Sequence, residues 1–198
     1  MIVKRGTKPQ LQKTHLKFCK RYLEISNKAL NVASRSELGR FPLIIDIYKN
    51  ILHSILYLLC KNEESIVKQA FRTSLELHYN GRNSFYYNLI KISEYYDLPN
   101  FDPNNLSEAM IKDYIDIIKQ KYIIYWQHTI HHSKKVRFYN IFKRDYKISS
   151  YLDLTRNSTN KGDLVKLRTS NQKRMIETGR HYQTPHNGRF CPLFVTLK

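Results

Sequence analysis

The sequence predicts an all-α protein, an irregular bundle or array of about five to seven helices with a basic, less regular C-terminal third. Apolar residues recur at intervals of three and four between residues 41 and 131, which is the period of an amphipathic helix. No run of alternating apolar and polar residues is long enough to indicate a strand. The 198 residues include only 6 Gly and 6 Pro, which argues against a turn-rich barrel or sandwich.

The first two helices of the central region have clear boundaries in the sequence. One is predicted at residues 41–60, where Pro42 suits the first helical turn because its missing N–H costs nothing there. Its apolar stripe consists of Ile44, Ile47, Ile51, Ile55 and Leu58. The next is predicted at residues 65–79. It should end at Asn80 and Gly81, since both residues tolerate the left-handed conformation.

Two further helices follow in the same region. The third is predicted at residues 85–96 and stops before Pro99. The fourth should begin at Asn105, because Glu108 three residues later completes the pattern of a capping box. Its apolar periodicity continues to about His131, so it is the longest helix that the sequence predicts.

Charge is distributed unevenly along the chain, which carries 34 Lys and Arg, 16 Asp and Glu and a net charge of +18. Residues 1–28 have a net charge of +7, residues 29–133 have none, and residues 134–198 have +11. We therefore predict a helical domain at 1–133, with a basic start and a neutral body, and a basic nucleic-acid-binding segment at 134–198. This asymmetry is typical of a polyanion binder, and the alternative is a set of solvated charged faces.

Cysteine usage and hydropathy predict an intracellular protein, nuclear or cytoplasmic and not secreted. The three cysteines are far apart and odd in number, so they indicate no disulfide framework: Cys19, Cys60 and Cys191. The most apolar stretch, residues 43–59, contains Asp46, Lys49 and His53, whereas a membrane span needs about 20 mostly apolar residues. No membrane partner is therefore expected.

Motifs for catalysis are missing from the sequence. It contains no Gly-rich phosphate loop, no GxSxG, no CxxC and no adjacent aspartate pair. The one cluster that resembles a metal site is His128, His131 and His132, and a tetrahedral zinc site would need further ligands. Such histidines at a basic helix end more often contact phosphate or the helix dipole. Trp126, just before them, is expected to anchor the core. We therefore predict no enzyme activity, no cofactor and no metal.

The C-terminal third interleaves cations with aromatic residues in two segments, 133–146 and 164–180. Cations neutralise phosphates, and aromatic faces stack on unpaired bases. The alternative is that Phe138, Tyr139 and Phe142 pack inward while the cations remain in solvent. The predicted nucleic-acid-binding residues are Lys134, Lys135, Arg137, Lys143, Arg144, Lys166, Arg168, Lys173, Arg174 and Arg180.

Several short motifs follow one another in a recognisable order. They are LKFCK at 16–20, LGRFP at 38–42, Trp126, Ser133-Lys134, Tyr151-Leu152, LRTS at 167–170, IETGR at 176–180 and RFCP at 189–192. In this order and spacing, from about Gln12 to Pro192, the chain resembles the region that follows the polymerase domain in reverse transcriptases of non-LTR (LINE-type) retrotransposons. Each motif is short, and their order carries the resemblance.

The resemblance implies a binding role and an incomplete protein. The family's Tyr/Phe-x-Asp-Asp polymerase motif and its endonuclease are both missing here. Family members continue after Arg-x-Cys-Pro to a zinc knuckle, whereas here Phe194 stands in place of the second cysteine and one thiolate cannot form a tetrahedral zinc site. Cys191 is thus a remnant, and the chain is expected to be a fragment or the product of a decayed copy.

In this family the region contacts template RNA and target DNA. By resemblance, the phosphate contacts are Lys134, Lys135, Arg168, Lys173, Arg174 and Arg180. Two alternatives stay open: a helical protein-interaction scaffold and an inert relic of a mobile element. Salt separates them, because nucleic-acid affinity falls steeply as salt rises whereas docking of a neutral scaffold does not.

Overall fold

The computed structural model describes residues 7–99, 102, 105–133, 136, 139–154, 158–169 and 183, and every regular element within these ranges is helical. The helices are α1 (Thr7–Tyr22), α2 (Asn31–Glu37), α3 (Leu43–Leu59), α4 (Ile66–Tyr79), α5 (Phe85–Tyr95), α6 (Glu108–His132), α7 (Tyr139–Phe142), α8 (Tyr151–Leu154) and α9 (Ser158–Arg168). The predicted all-α class is confirmed. None of the described helices is both long enough and apolar enough to cross a membrane.

The chain divides into two compact units that are discontinuous in sequence. Unit 1 contains the described residues within 1–12 and 41–125, and unit 2 contains those within 13–40 and 126–198. The division after residue 133 that charge suggested stays a prediction. In the structure, a segment near the start of the chain shares a unit with the C-terminal part.

Unit 1 is built around one apolar cluster. Helix α4 packs against α3 and α5, and buried residues of α6 complete the core. The fully or almost fully buried members include Tyr48, Leu52, Ile55, Ile111 and Ile118. On α3 the deeply buried row is Ile45, Tyr48, Leu52 and Ile55. The predicted stripe was therefore placed one residue off over most of its length, because α3 carries adjacent apolar residues and packing decides which of them lies deepest.

The boundaries of these helices test the signals in the sequence. Gly81 has a φ of +70° just after α4, as predicted for a helix stop at this position. The capping box predicted at Asn105 is wrong. Ser107 caps α6 instead, since its Oγ accepts a hydrogen bond from the Met110 N–H at 3.3 Å. Asn105 lies two residues before this cap, and its side-chain Nδ2 donates to Asp102 Oδ2 at 2.8 Å.

A buried lysine closes the carboxyl end of α3. Lys68 donates from Nζ to the carbonyls of Leu59 at 3.1 Å and Lys61 at 2.9 Å, and it pairs with Glu63 at 2.7 Å. The last carbonyls of a helix have no partner within the helix, and a cation there also interacts favourably with the negative end of the helix dipole. Lys68 is therefore a structural residue of unit 1.

Unit 2 contains a five-residue apolar cluster, further buried apolar side chains and several buried polar residues. The cluster contains Leu23, Ile25, Ala29, Leu152 and Val165. Trp126 is 2% exposed and lies edge-on against Tyr146, with ring centroids 5.3 Å apart, which confirms its predicted place in a core. Helix α2 is buried from Val32 to Glu37.

Gly39 explains why one of the sequence motifs needs a glycine. Its φ is +59°, and a Cβ at this position would lie 2.6 Å from the backbone nitrogen of Ile148. The neighbouring Leu38 forms an isolated antiparallel bridge with Ile148. Any side chain at Gly39 would therefore push two backbone segments apart and strain its own backbone.

Candidate nucleic-acid interface

The predicted binding residues fall into two groups. Four of them, Lys143, Arg144, Lys166 and Arg168, are described by the structure. The other six lie outside the described residues, so their roles stay predictions: Lys134, Lys135, Arg137, Lys173, Arg174 and Arg180. Val136, in the middle of the first basic segment, is buried at 1% exposure.

Lys143 is buried rather than exposed. Its Nζ donates to Ser149 Oγ at 3.0 Å and also to the carbonyl of Lys147. Burial lowers the pKa of the Lys143 ammonium from its usual value, and the nearby carboxylates of Glu37 and Asp145 act against this effect. Because its donors serve the interior of unit 2, we leave Lys143 out of the proposed interface.

Arg168 holds a buried carboxylate. Its Nε donates to Glu37 Oε1 at 3.1 Å, and its Nη2 donates to the carbonyl of Phe142 at 3.3 Å. The Glu37 side chain is fully buried, and the Arg168 side chain is only 16% exposed. The guanidinium also lies over the ring of Tyr151, 4.9 Å from its centroid. A buried charge requires such a partner, so the first role of Arg168 is structural.

Two tyrosines complete this polar interior. The hydroxyl of Tyr151 donates to Glu37 Oε2 at 2.6 Å, so each oxygen of the carboxylate has a donor. Tyr139, fully buried, lies 2.7 Å from Ser36 Oγ and donates to the carbonyl of Ala33 at 3.2 Å. Burial, followed by the charge of Glu37, raises the pKa of Tyr139 and of Tyr151 well above the usual value. With its oxygens occupied, Glu37 is placed to hold the fold and not to accept a proton from a substrate.

The remaining two predicted cations lie at the surface. Arg144 is exposed and forms no salt bridge with any residue that the structure describes. Lys166 is partly exposed and pairs with Asp163 on α9 at 3.2 Å. Exposed pairs of this kind contribute little and exchange readily, so both side chains are accessible to a phosphate.

A second group of cations lies on α1. Lys13, Lys17 and Arg21 are all exposed and follow one another at intervals of four residues. They therefore form a row, here named the basic row, with about 6 Å between successive members along the helix axis. Within the described residues none of the three has a salt-bridge partner. Each is thus available to neutralise a phosphate.

Next to the basic row runs an aromatic row, formed by Phe18 and Tyr22. Phe18 is 62% exposed and Tyr22 is 52% exposed. Their ring centroids are 6.4 Å apart, and the ring planes differ by only 26°. At 100° per residue, the two rows occupy adjacent parts of one helix face, with cations on one side and rings on the other. The pattern of cations beside exposed rings is typical of surfaces that bind nucleic acids.

The sequence contained a signal for the basic row that composition did not use. Residues 1–23 hold seven cations and no acid, and three of these cations repeat at the spacing of a single helix face. The periodicity of apolar residues does not reveal this row, because its members are all charged. The Glu37–Arg168 pair has no comparable signal, since its members are 131 residues apart.

The three histidines lie at the carboxyl end of α6. His128 and His132 stack with ring centroids 4.1 Å apart. His132 Nδ1 lies 2.8 Å from the His128 carbonyl oxygen. Among the described residues, no group of three or more His, Cys, Asp or Glu side chains is placed to hold a metal ion.

Comparison with known proteins adds no relatives. No family model, curated protein or solved structure matches this chain.

Proposed function

We propose that this chain is a non-catalytic part of a retrotransposon RNA-directed DNA polymerase and that it binds RNA or DNA with low sequence preference. The observation that carries the binding proposal is the basic row of α1, whose three exposed cations have no salt-bridge partner among the described residues. The ordered motifs between residues 12 and 192 are the support for the family. Binding and not catalysis is assigned because the polymerase aspartate pair is missing from the sequence.

The excess of positive charge supports the same proposal. The net charge of +18 produces a field that attracts polyanions. The exposed Arg144 and Lys166 add further cations to unit 2. Phosphate contacts of this type give affinity without reading the bases, which is why low sequence preference is proposed.

The test is fluorescence anisotropy of a labelled RNA and a labelled DNA duplex against the whole chain across a salt series. The logarithm of affinity should fall linearly with the logarithm of salt concentration. The triple variant Lys13→Gln, Lys17→Gln, Arg21→Gln should weaken binding and reduce the slope by about 2 for a single strand and about 3 for a duplex. Glutamine keeps the helix, so circular dichroism should not change.

A charge-matched control comes from unit 1. Lys49, Arg82 and Lys112 are exposed and have no salt-bridge partner among the described residues, so their triple glutamine variant removes the same charge from another surface. It should bind almost as well as the unaltered chain. Binding that is absent or insensitive to salt would overturn the proposal and favour a protein-docking scaffold. Equal losses in the two triple variants would show that net charge matters and the basic row does not.

A further inference from the structure

The aromatic row of α1 is exposed, whereas two other residues of the same helix are buried. Elsewhere around the helix, Cys19 is fully buried and Lys20 is 6% exposed, with its Nζ donating to the carbonyl of Asn27 at 2.6 Å. These contacts fix the rotation of the helix. Phe18 and Tyr22 therefore face solvent because the packed side of α1 points elsewhere, and not because α1 is detached from unit 2.

The position of these rings beside the cations suits one kind of ligand. Arg21 is three residues beyond Phe18, so the guanidinium and the ring are neighbours on the helix surface. A phosphate bound to the basic row would bring its own nucleotide next to the rings. A base can stack on an aromatic ring only if one of its faces is free.

Free base faces distinguish single strands from duplexes. Within a duplex each base is covered on both sides by its neighbours, so only phosphates and groove edges reach a helix surface. In a single strand the bases can turn outward and stack on aromatic side chains. The basic row serves either ligand, whereas the aromatic row contributes only with unpaired bases.

We infer that Phe18 and Tyr22 form a stacking site for unpaired bases, and that α1 binds single-stranded nucleic acid in preference to duplex. This inference rests on the proposed function, because it assumes that the basic row binds the phosphates. It assigns the two rows separate roles: the basic row supplies affinity that depends on salt, and the aromatic row supplies selectivity for single strands.

The experiment compares one labelled oligonucleotide, single-stranded or annealed to its complement, in DNA and RNA forms. The unaltered chain should bind the single strand on the order of tenfold more tightly than the duplex. The double variant Phe18→Leu, Tyr22→Leu should lose this preference, with single-strand affinity falling on the order of tenfold or more and duplex affinity nearly unchanged. Leucine keeps an apolar helical surface but has no flat face.

A matched control uses two exposed tyrosines of unit 1. Tyr57 is 61% exposed and Tyr79 is 77% exposed, so Tyr57→Leu with Tyr79→Leu removes as many exposed rings from another surface. This control should keep the preference for single strands. Equal affinity for the two ligands, unchanged in the Phe18 and Tyr22 variant, would overturn the stacking site and leave the proposed function standing. Parallel loss of single-strand and duplex binding in that variant, with unchanged circular dichroism, would also overturn it. Failure to bind any nucleic acid would overturn the proposed function itself.

Discussion

Unit 1 buries thirteen apolar or aromatic side chains in a single cluster, and the described part of unit 2 buries as many but combines them with buried polar residues such as Glu37, Lys20 and Lys143. The first interior is held by contact area, which has little directional requirement. The second also buries apolar area, but it depends in addition on hydrogen bonds with defined partners and on a compensated charge. The two units should therefore respond differently to single substitutions.

The partners in the two interiors also differ in their separation along the chain. The buried residues of α3 in unit 1 repeat every three or four positions, so periodicity in the sequence predicts the helix even though it places most of the buried row one residue off. In unit 2, Glu37 meets Tyr151 and Arg168, which lie 114 and 131 residues further on. Such a network closes only when distant segments meet, so it defines which segments belong together.

The strongest test of the polar interior removes the partner of Glu37. Arg168→Ala leaves a fully buried carboxylate without its cation, while the Tyr151 hydroxyl still donates to Oε2. Breaking a buried pair in this way should lower the free energy of unfolding by about 3–5 kcal/mol, measured by urea denaturation followed by circular dichroism. Lys166→Ala, which breaks an exposed pair two residues away, should cost about 0–1 kcal/mol.

The double variant Glu37→Leu, Arg168→Met separates two effects on stability: losing the ion pair, and burying a carboxylate that has no cation. Replacing both members by apolar side chains should recover most of the stability, because no unpaired charge is then buried. A loss below about 1 kcal/mol in Arg168→Ala would contradict the structural role of the pair and make the two units alike. For the same reason Arg168 is unsuitable for binding experiments, since its variants would confound unfolding with lost phosphate contacts.

Sequence reasoning succeeded where structure depends on neighbours along the chain. The positions of α3 to α6, the stop at Gly81 and the burial of Trp126 all follow from local signals. It did not anticipate the burial of Lys143, because composition cannot tell a solvated lysine from one that donates to an internal carbonyl and hydroxyl. The basic row of α1 is an intermediate case. Its spacing is a local signal, but the signal lies in charged residues and not in the apolar ones that predict helices.

A second test concerns the hydroxyl of Tyr86, a polar group inside the apolar interior of unit 1. Burial is the main cause that raises the pKa of Tyr86 to about 12, with smaller contributions from Tyr79, Asp102 and Tyr48. In an unfolded chain the tyrosine pKa is about 10. Tyr86 therefore holds its proton more tightly in the native state than in the unfolded chain. Its contribution to the free energy of unfolding is complete below a pH of about 10 and is lost as the pH rises towards 12. At pH values above both pKa values, the difference between them corresponds to a loss of roughly 3 kcal/mol from the free energy of unfolding.

Urea denaturation between neutral pH and the alkaline limit of the fold measures this dependence. Tyr86→Phe should make the alkaline decrease in stability shallower, because one group that resists ionisation is removed. Tyr57→Phe, at an exposed position of the same unit, should leave the decrease unchanged. Identical pH profiles for the unaltered chain and Tyr86→Phe would show that Tyr86 does not contribute to the alkaline loss of stability.

The smallest expected effect on stability concerns the start of α6. It decides which of two nearby residues, Ser107 or Asn105, caps the helix. Ser107→Ala removes the acceptor of the Met110 N–H and should lower the free energy of unfolding by about 1 kcal/mol. Asn105→Ala removes only an exposed side-chain bond to Asp102 and should cost less than about 0.5 kcal/mol. A larger loss in Asn105→Ala than in Ser107→Ala would restore the capping box that the sequence predicted. The expected order would show that even in unit 1, where local patterns predict the helices well, the hydroxyl that caps a helix is chosen by backbone geometry.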